Sequence, residues 1–244
     1  MSAHEYARMR QAEDEHWWYR ALRSLVAHEV ARASGRGGPP RILDAGCGTG
    51  GGLERWARAV GAAGYGVDLA SAALGHCLAR GQGRVALASV EALPFGAGTF
   101  DAVVSLDVLC LEGLDEARAL AEFRRVLRPG GHLVLNLPAF EALRGEHDRA
   151  VRIRRRFRSA ELVDLLRESG FRVGRVRYWN TILFPAVWLI RRLRRGGHQA
   201  SSDLAALPGP LNAALVALLA AESRLTVALR PPFGTSVLCV ATRP

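Results

Sequence analysis

Short apolar runs alternate with stretches of helical periodicity along the middle of this 244-residue chain. The runs are RILDA at 41, GYGVDL at 64, RVALAS at 84, DAVVSLDV at 101 and HLVLNLP at 132, with helix formers from about 51, from Ser71 and through Val126 between them. Apolar strands separated by amphipathic helices build βαβ units, so the pattern predicts an α/β fold with a doubly wound parallel sheet. A later helix, with Ser159 as N-cap and Glu161 in its first turn, is expected to end near Gly170. There FRVGRVRYW begins another strand, and SVLCVATR at 236–243 reads as the last one.

Two segments stand outside this alternation. Residues 4–34 are rich in helix formers, carry the aromatic cluster Trp17, Trp18 and Tyr19, and stop at the GRGGPP break at 35–40, which predicts a helical N-terminal cap. Residues 180–233 hold the apolar stretch NTILFPAVWLI, an arginine run, the loop LPGPL and an Ala/Leu-rich helix, an insertion before the final strand. The expected organisation is one domain over 1–244, with a cap (1–38), a core (39–179), the insertion (180–233) and a closing strand (234–244). No internal repeat or low-complexity tract suggests anything else.

Composition changes this picture little. A hydrophobic fraction of 49% and a mean hydropathy of +0.06 suit a sheet covered on both faces. The net charge is +10, yet every basic residue is arginine and none is lysine. With alanine and glycine also abundant, that reads as a bias of the whole chain rather than a basic surface, so nucleic acid is not the expected partner. Cys47, Cys77, Cys110 and Cys239 are scattered singly, without metal-ligand spacing, so neither a metal centre nor a disulfide framework is expected. The first twenty residues are charged and lack an apolar signal-like run, so a cytoplasmic location is expected.

The candidate chemistry begins at RILDAGCGTGG. Glycines 46, 48 and 50 follow a strand and precede a helix, where a tight turn and a close-lying ligand favour residues without a side chain. Gly46, Gly48 and Gly51 equally match the GxGxxG spacing of dinucleotide folds, so the acids must discriminate. Asp44, two residues before the first glycine, disfavours a pyrophosphate and suits the cationic amino-acid portion of S-adenosylmethionine. Asp68 closes the second strand, where a carboxylate accepts hydrogen bonds from ribose hydroxyls. The competing reading makes both acids simple helix caps.

Taken together, LDAGCGTG, YGVDLA, VEALPF, FDAVVSLDVL and RVLRPGGHLVLNLP resemble the class I methyltransferases of the small-molecule type over about residues 40–175. The resemblance implies a Rossmann-like seven-stranded sheet whose last strand is antiparallel. It also implies a donor loop of Asp44, Ala45, Gly46, Cys47, Gly48 and Gly50 for S-adenosylmethionine, Asp68 on the ribose, Leu69 against the adenine, and Asp107 among the cofactor contacts. Ser89 stands where relatives have an acid that contacts adenine, which leaves that recognition to Ser89 and the backbone of Val90. Cys110 and Leu111 replace an acid-histidine pair found in many relatives, so a histidine base from that loop is ruled out. RVLRPGG is assigned a structural role, with Pro129 ending a helix and Gly130 turning into the next strand.

On the acceptor side, His147 in LRGEHDRAVRIRRRF is the first candidate base, beside Asp148 and just past the fifth strand; a surface histidine is the alternative. Arg156, with Arg154 and Arg155, offers bidentate contacts to an anionic acceptor, unless the run is a solvated face. Trp18, Tyr19 and Tyr178 complete the acceptor candidates, with the caution that Trp17, Trp18 and Tyr19, being adjacent, cannot share one helix face. LPAFEALRGEHD, YWNTILFP and PPFGTSVLCVATRP resemble a less-characterised bacterial methyltransferase subgroup, which points to an apolar or lipid-linked acceptor and to the insertion as a substrate-side feature. Residues 181–195 are too short to span a bilayer of about 30 Å but suit peripheral contact with a membrane or cover for a pocket. The expectation is O-methylation of a small hydrophobic molecule; the rivals are a donor-binding accessory protein without catalysis and an NAD-dependent oxidoreductase.

Overall fold

The computed structural model describes residues 3–33, 39–193, 207–229 and 231–244. Within them, seven strands form one sheet: β1 (Arg41–Ala45), β2 (Ala63–Asp68), β3 (Val85–Leu87), β4 (Phe100–Leu106), β5 (Leu127–Pro138), β6 (Arg172–Trp179) and β7 (Ser236–Thr242), in the order β3-β2-β1-β4-β5-β7-β6. Strands β1 to β5 pair in parallel, whereas β7 runs antiparallel to both β5 and β6, as expected from the sequence.

The strands read as apolar runs because helices cover both faces. Period-two alternation divides them: Leu43, Ala45 and Val103 join one core with Leu120 and Phe123 of α5 (Glu116–Val126) and Leu162 and Leu166 of α7 (Ser159–Glu168). Ile42, Ala102 and Val104 point to the other face, against Leu22, Val26 and Val30 of α2 (Trp17–Ala33), Trp56 of α3 (Gly51–Val60) and Leu219 of α9 (Gly209–Leu229). Helix α4 (Ser71–Ala79) packs beside β2 and β3.

The N-terminal cap is two helices, α1 (Ala3–Glu15) and α2, that part at His16. Asn212 of α9 clasps that junction: its Oδ1 accepts from Trp17 N and its Nδ2 donates to Glu15 O, both at 2.8 Å. The insertion supplies α9 and α8 (Phe184–Leu193), where Pro185 is tolerated because the first helical turn has no intrahelical acceptor for its missing N–H. One expectation fails locally. Arg158, not Ser159, is the N-cap of α7, because its N–H is held by Glu161 Oε2 at 3.0 Å while Ser159 N donates to the Tyr178 hydroxyl at 2.8 Å.

Glu222 on α9 is buried and accepts from Thr181 N and Ile182 N at 2.9 to 3.0 Å, fixing the start of the insertion. Glu222→Ala leaves these N–H groups without their acceptor and is expected to lower stability by about 2 kcal/mol, read from a denaturant midpoint at unchanged slope.

Candidate active site

The loop from β1 to α3 is shaped by glycines that no other residue replaces cheaply. Gly46 has φ of +87°, and a Cβ there would lie 2.3 Å from Val108 Cγ2. The Gly46 and Cys47 amides both donate to Val67 O, and Gly48 N donates to Asp68 Oδ2 at 2.9 Å, so the loop folds back over the end of β2. Asp68 Oδ1 accepts from Ala70 N at 3.0 Å and from the Tyr6 hydroxyl of α1 at 3.1 Å.

The N-terminus of α3, where a dinucleotide fold receives its pyrophosphate, is already filled. Its N-cap Gly50 has no side chain to offer, and Glu13 reaches in from α1 instead. The Glu13 carboxylate accepts from Gly51 N at 3.0 Å, from the Thr49 hydroxyl, and from Arg80 Nη2 at 3.1 Å. Arg80 also donates to Thr49 O at 2.9 Å and to Asp14, so α1, the loop and α4 are tied by one charged knot. A bound phosphate would have to displace a buried carboxylate from a favourable helix end.

Asp44, at the end of β1, is treated differently. It is 4% exposed, lines the cleft, and makes no hydrogen bond or ion pair among the described residues. Burial, with Cys77, Glu13 and Asp68 nearby, pushes its pKa well above the ordinary carboxylate range. A buried carboxylate lacking a partner is costly, and a cationic ligand relieves that cost. The α-ammonium and sulfonium of S-adenosylmethionine meet the requirement, whereas a pyrophosphate does not.

The cleft opens into a cavity of about 1050 Å³. It is bounded in part by Leu69, 75% exposed, with Ser89 and Val90. Ser89 Oγ accepts from Glu91 N at 3.1 Å, which fixes the hydroxyl of this residue. Beyond the loop the cavity continues past Trp17, Trp18 and Tyr19 of α2, Asp107 and Leu111 after β4, His147 of α6 (Glu146–Ala150), Arg156, and Val187 and Ile190 of α8.

The profile of the methyltransferase domain family matches residues 43–135, the span from β1 to the middle of β5 that carries the loop and Asp44. Residues 43–135 are thus similar to a methyltransferase domain. Over 168 residues the chain is 34% identical to O-methyltransferase resE of Aspergillus sclerotiorum, covering 63% of this chain and 62% of that one. Over 98 residues it is 41% identical to the phthiotriol/phenolphthiotriol dimycocerosates methyltransferase of Mycobacterium leprae, covering 38% and 36%. It thus spans about three fifths of the first relative and about a third of the second. Among solved structures, the [4+2]-cyclase SpnF superposes with a TM-score of 0.57 at 24% identity, over 90% of this chain and 80% of that one. That likeness concerns the fold alone.

Of the residues expected at the methyltransferase site, Asp44, Gly46, Cys47, Gly48, Asp68, Leu69, Ser89, Val90, Asp107, His147, Trp18, Tyr19 and Arg156 line this one cavity. Ala45 and Gly50 do not; Ala45 is buried in the core, its carbonyl accepting from Ser105, and Gly50 shapes the turn. Tyr178 needs correction as an acceptor contact, because on β6 its ring stacks on Phe140 and its hydroxyl caps α7, away from the cavity. The arginine run also divides: Arg154 and Arg155 pair with Glu116, while Arg156 is buried in a bidentate contact with Asp148 at 2.8 and 3.1 Å. Trp17, Trp18 and Tyr19 all border the cavity although adjacent, since they open α2 at the mouth; Trp18 also stacks on Trp179 at 5.7 Å.

Tyr6, Met9, Glu13 and His16 were not singled out by the sequence, yet all four line the cavity. Their only sequence signal is membership of the cap; Tyr6 and Glu13 meet Asp68, Thr49 and Gly51, tens of residues away, while His16 meets its neighbours Trp17 and Trp18.

Since the fold holds Asp44 with a raised pKa, the unfolded chain releases this proton first as pH rises, and the native state loses stability from about pH 4 upward. Asp44→Asn removes that loss. The ligand-free variant is expected to be more stable than the parent at pH 7, with the difference gone below about pH 4. Its affinity for S-adenosylhomocysteine falls by about 2 kcal/mol, roughly thirtyfold, in calorimetry. Equal affinity with the parent would mean that Asp44 does not hold the donor.

Proposed function

We propose that this chain transfers the methyl group of S-adenosylmethionine to an oxygen of a small apolar or lipid-linked acceptor. The observation that carries the reading is the unpartnered carboxylate of Asp44 beneath a glycine loop whose helix end is already occupied by Glu13. When bound, S-adenosylmethionine supplies an electrophilic methyl group on a good leaving group. The protein then has to hold the donor, align the acceptor and exclude water, a contribution on the order of several kcal/mol.

Asp44 and the loop amides hold the amino-acid end, Asp68 the ribose, and Leu69, Ser89 and Val90 the adenine. Against Asp68 the Tyr6 hydroxyl must share or yield its place. The cavity volume of about 1050 Å³ is at the upper end for small-molecule sites, which leaves room for a second molecule beside the donor. Its far half is walled by Trp17, Trp18, Tyr19, Val187, Ile190 and Leu215, which favours an apolar acceptor. His147 and Arg156 border this half and are assigned to the acceptor, His147 as the hydrogen-bonding or proton-accepting group expected from the sequence. The mycobacterial relative is named for phthiotriol and phenolphthiotriol dimycocerosates, and the fungal one for O-methylation; both names support this reading.

Helix α8 has two faces. Val187, Ile190 and Arg191 border the cavity, while Trp188, Leu189 and Leu193, and Ile190 in part, are exposed and Arg192 lies over the Trp188 ring at 5.3 Å. No helix among the described residues is long and apolar enough to cross a membrane. We infer a peripheral contact through 181–195, of which 194 and 195 lie outside the described residues, with Trp188 and Arg192 at headgroup depth and the cavity beneath. A donor-binding accessory role without turnover is the second reading, favoured by Ser89 in place of an acid and by Cys110 and Leu111 in place of an acid-histidine pair.

Incubation with labelled methyl donor and a cell lipid extract should give label in an organic-soluble, base-stable product, as expected of an ether. Donor binding without any labelled product would favour the accessory role, and binding of NAD in place of the donor would overturn the assignment. In co-sedimentation with vesicles containing anionic lipid, Trp188→Glu with Leu193→Glu is expected to weaken association by about tenfold or more while donor affinity is unchanged. Undiminished sedimentation would remove α8 from the membrane contact.

A further inference from the structure

Asp107 follows directly on β4, where the two halves of the cavity meet. In the sheet order, β2 and β1 lie to one side and end at the donor carboxylates Asp68 and Asp44, while β5 lies to the other and leads into the acceptor-side segment of His147 and Arg156. Open α/β sheets bind ligands across the carboxyl ends of such strands, so the transferred group passes above the end of β4.

The Asp107 backbone is held at φ of +55°, a conformation that residues other than glycine seldom adopt and that folds tend to keep where a side chain must be aimed. Asp107 N donates to Asn136 O at 2.8 Å, and Asn136 Nδ2 donates to Asp107 Oδ1 at 3.0 Å. Asn136 is itself fixed from behind, since its Oδ1 accepts from Trp179 Nε1 at 2.7 Å. Asn136 and Trp179 are both buried, and Trp179 stacks on Trp18 of the cavity wall. This chain locks Oδ1 and leaves Oδ2 with no hydrogen bond among the described residues, on a side chain that lines the cavity.

We propose that Asp107 is the acceptor-side carboxylate of methyl transfer, its Oδ2 facing the transferring methyl and taking the acceptor's proton. The proposal rests on the donor site at Asp44. As the acceptor oxygen bonds to the methyl carbon, the carbon–sulfur bond breaks with its electron pair left on sulfur, and the oxygen's proton passes to Asp107. Asn136 is the positioning residue, and His147 is left to hold the acceptor.

The surroundings suit a base. Burial pushes the Asp107 carboxyl up to about 7, with Arg156 opposing that rise and Asp148 adding to it. The other titratable groups that face it are the Tyr19 hydroxyl on α2 and the Cys110 thiol after β4, both pushed up by burial and so neutral. Both forms of Asp107 are therefore accessible near neutral pH.

A test needs no acceptor. Sinefungin carries a protonated amine where the donor carries its transferring methyl, and S-adenosylhomocysteine has nothing there. In calorimetry the full chain is expected to bind sinefungin about tenfold more tightly than S-adenosylhomocysteine at pH 8. That preference shrinks toward pH 6, as the carboxylate takes up its proton. Asp107→Asn should bind S-adenosylhomocysteine like the parent and lose both the preference and its pH dependence. Asparagine tolerates a positive φ, and Asp107→Gly is a second variant suited to it. A preference that survives in either folded variant, or equal affinity of the parent for the two nucleosides, overturns the proposal. So does loss of S-adenosylhomocysteine binding in a variant with an unchanged melting transition, which would make Asp107 a donor residue. Failure of the parent to bind either nucleoside would instead remove the donor assignment itself.

Discussion

Two carboxylates around one glycine loop are used in opposite ways, and what the cleft accepts depends on that difference. Glu13 holds the start of α3 with three hydrogen bonds, one of them from Arg80, while Asp44 is buried with no partner for its charged form. The first arrangement closes the place where a phosphate would sit; the second creates demand for a cation. A Rossmann-like sheet can serve either class of nucleoside, and here side-chain electrostatics rather than glycine spacing makes the choice.

The same economy appears in the cap and the insertion. Neither belongs to the domain span matched by the family profile, yet both contribute walls to the cavity. Asn212 and Glu222, both on α9, bind backbone groups at the α1–α2 junction and at the start of the insertion. The chain segments most distant in sequence thus form one frame around the cavity. Buried polar side chains in such places are costly to leave unsatisfied, which makes them effective at specifying a single arrangement.

Charge along the chain proved a poor guide to charge in the site. Arg154, Arg155 and Arg156 are consecutive, but the first two turn to Glu116 on α5 and only the third is buried on the cavity, already engaged by Asp148. Tyr178 and Trp179, also adjacent, point to opposite faces of β6: one caps α7 from within the core, the other steadies Asn136. Alternation along a strand sets such outcomes, so neighbours in sequence have unrelated roles.

The order of strands and helices, the antiparallel last strand, the glycine loop and the two donor acids were legible in the chain itself or in its family resemblance. They depend on local periodicity, on turn chemistry and on motifs confined to a few residues, all of which survive without tertiary contacts. Tyr6 at Asp68, Glu13 at α3, and the link from Trp179 through Asn136 to Asp107 were not legible, and neither was the inward turn of Tyr178. Each depends on groups brought together by the packing of α1 and α2 against the sheet or by the pleat of its far edge. No sequence spacing encodes those distances, because the intervening chain can close over many lengths at nearly the same entropic cost. The chain by itself determined the glycine loop and the two acids that end β1 and β2. Tertiary packing decided which carboxylate is left bare for a cation, which is spent on a helix end, and which borders the boundary between donor and acceptor.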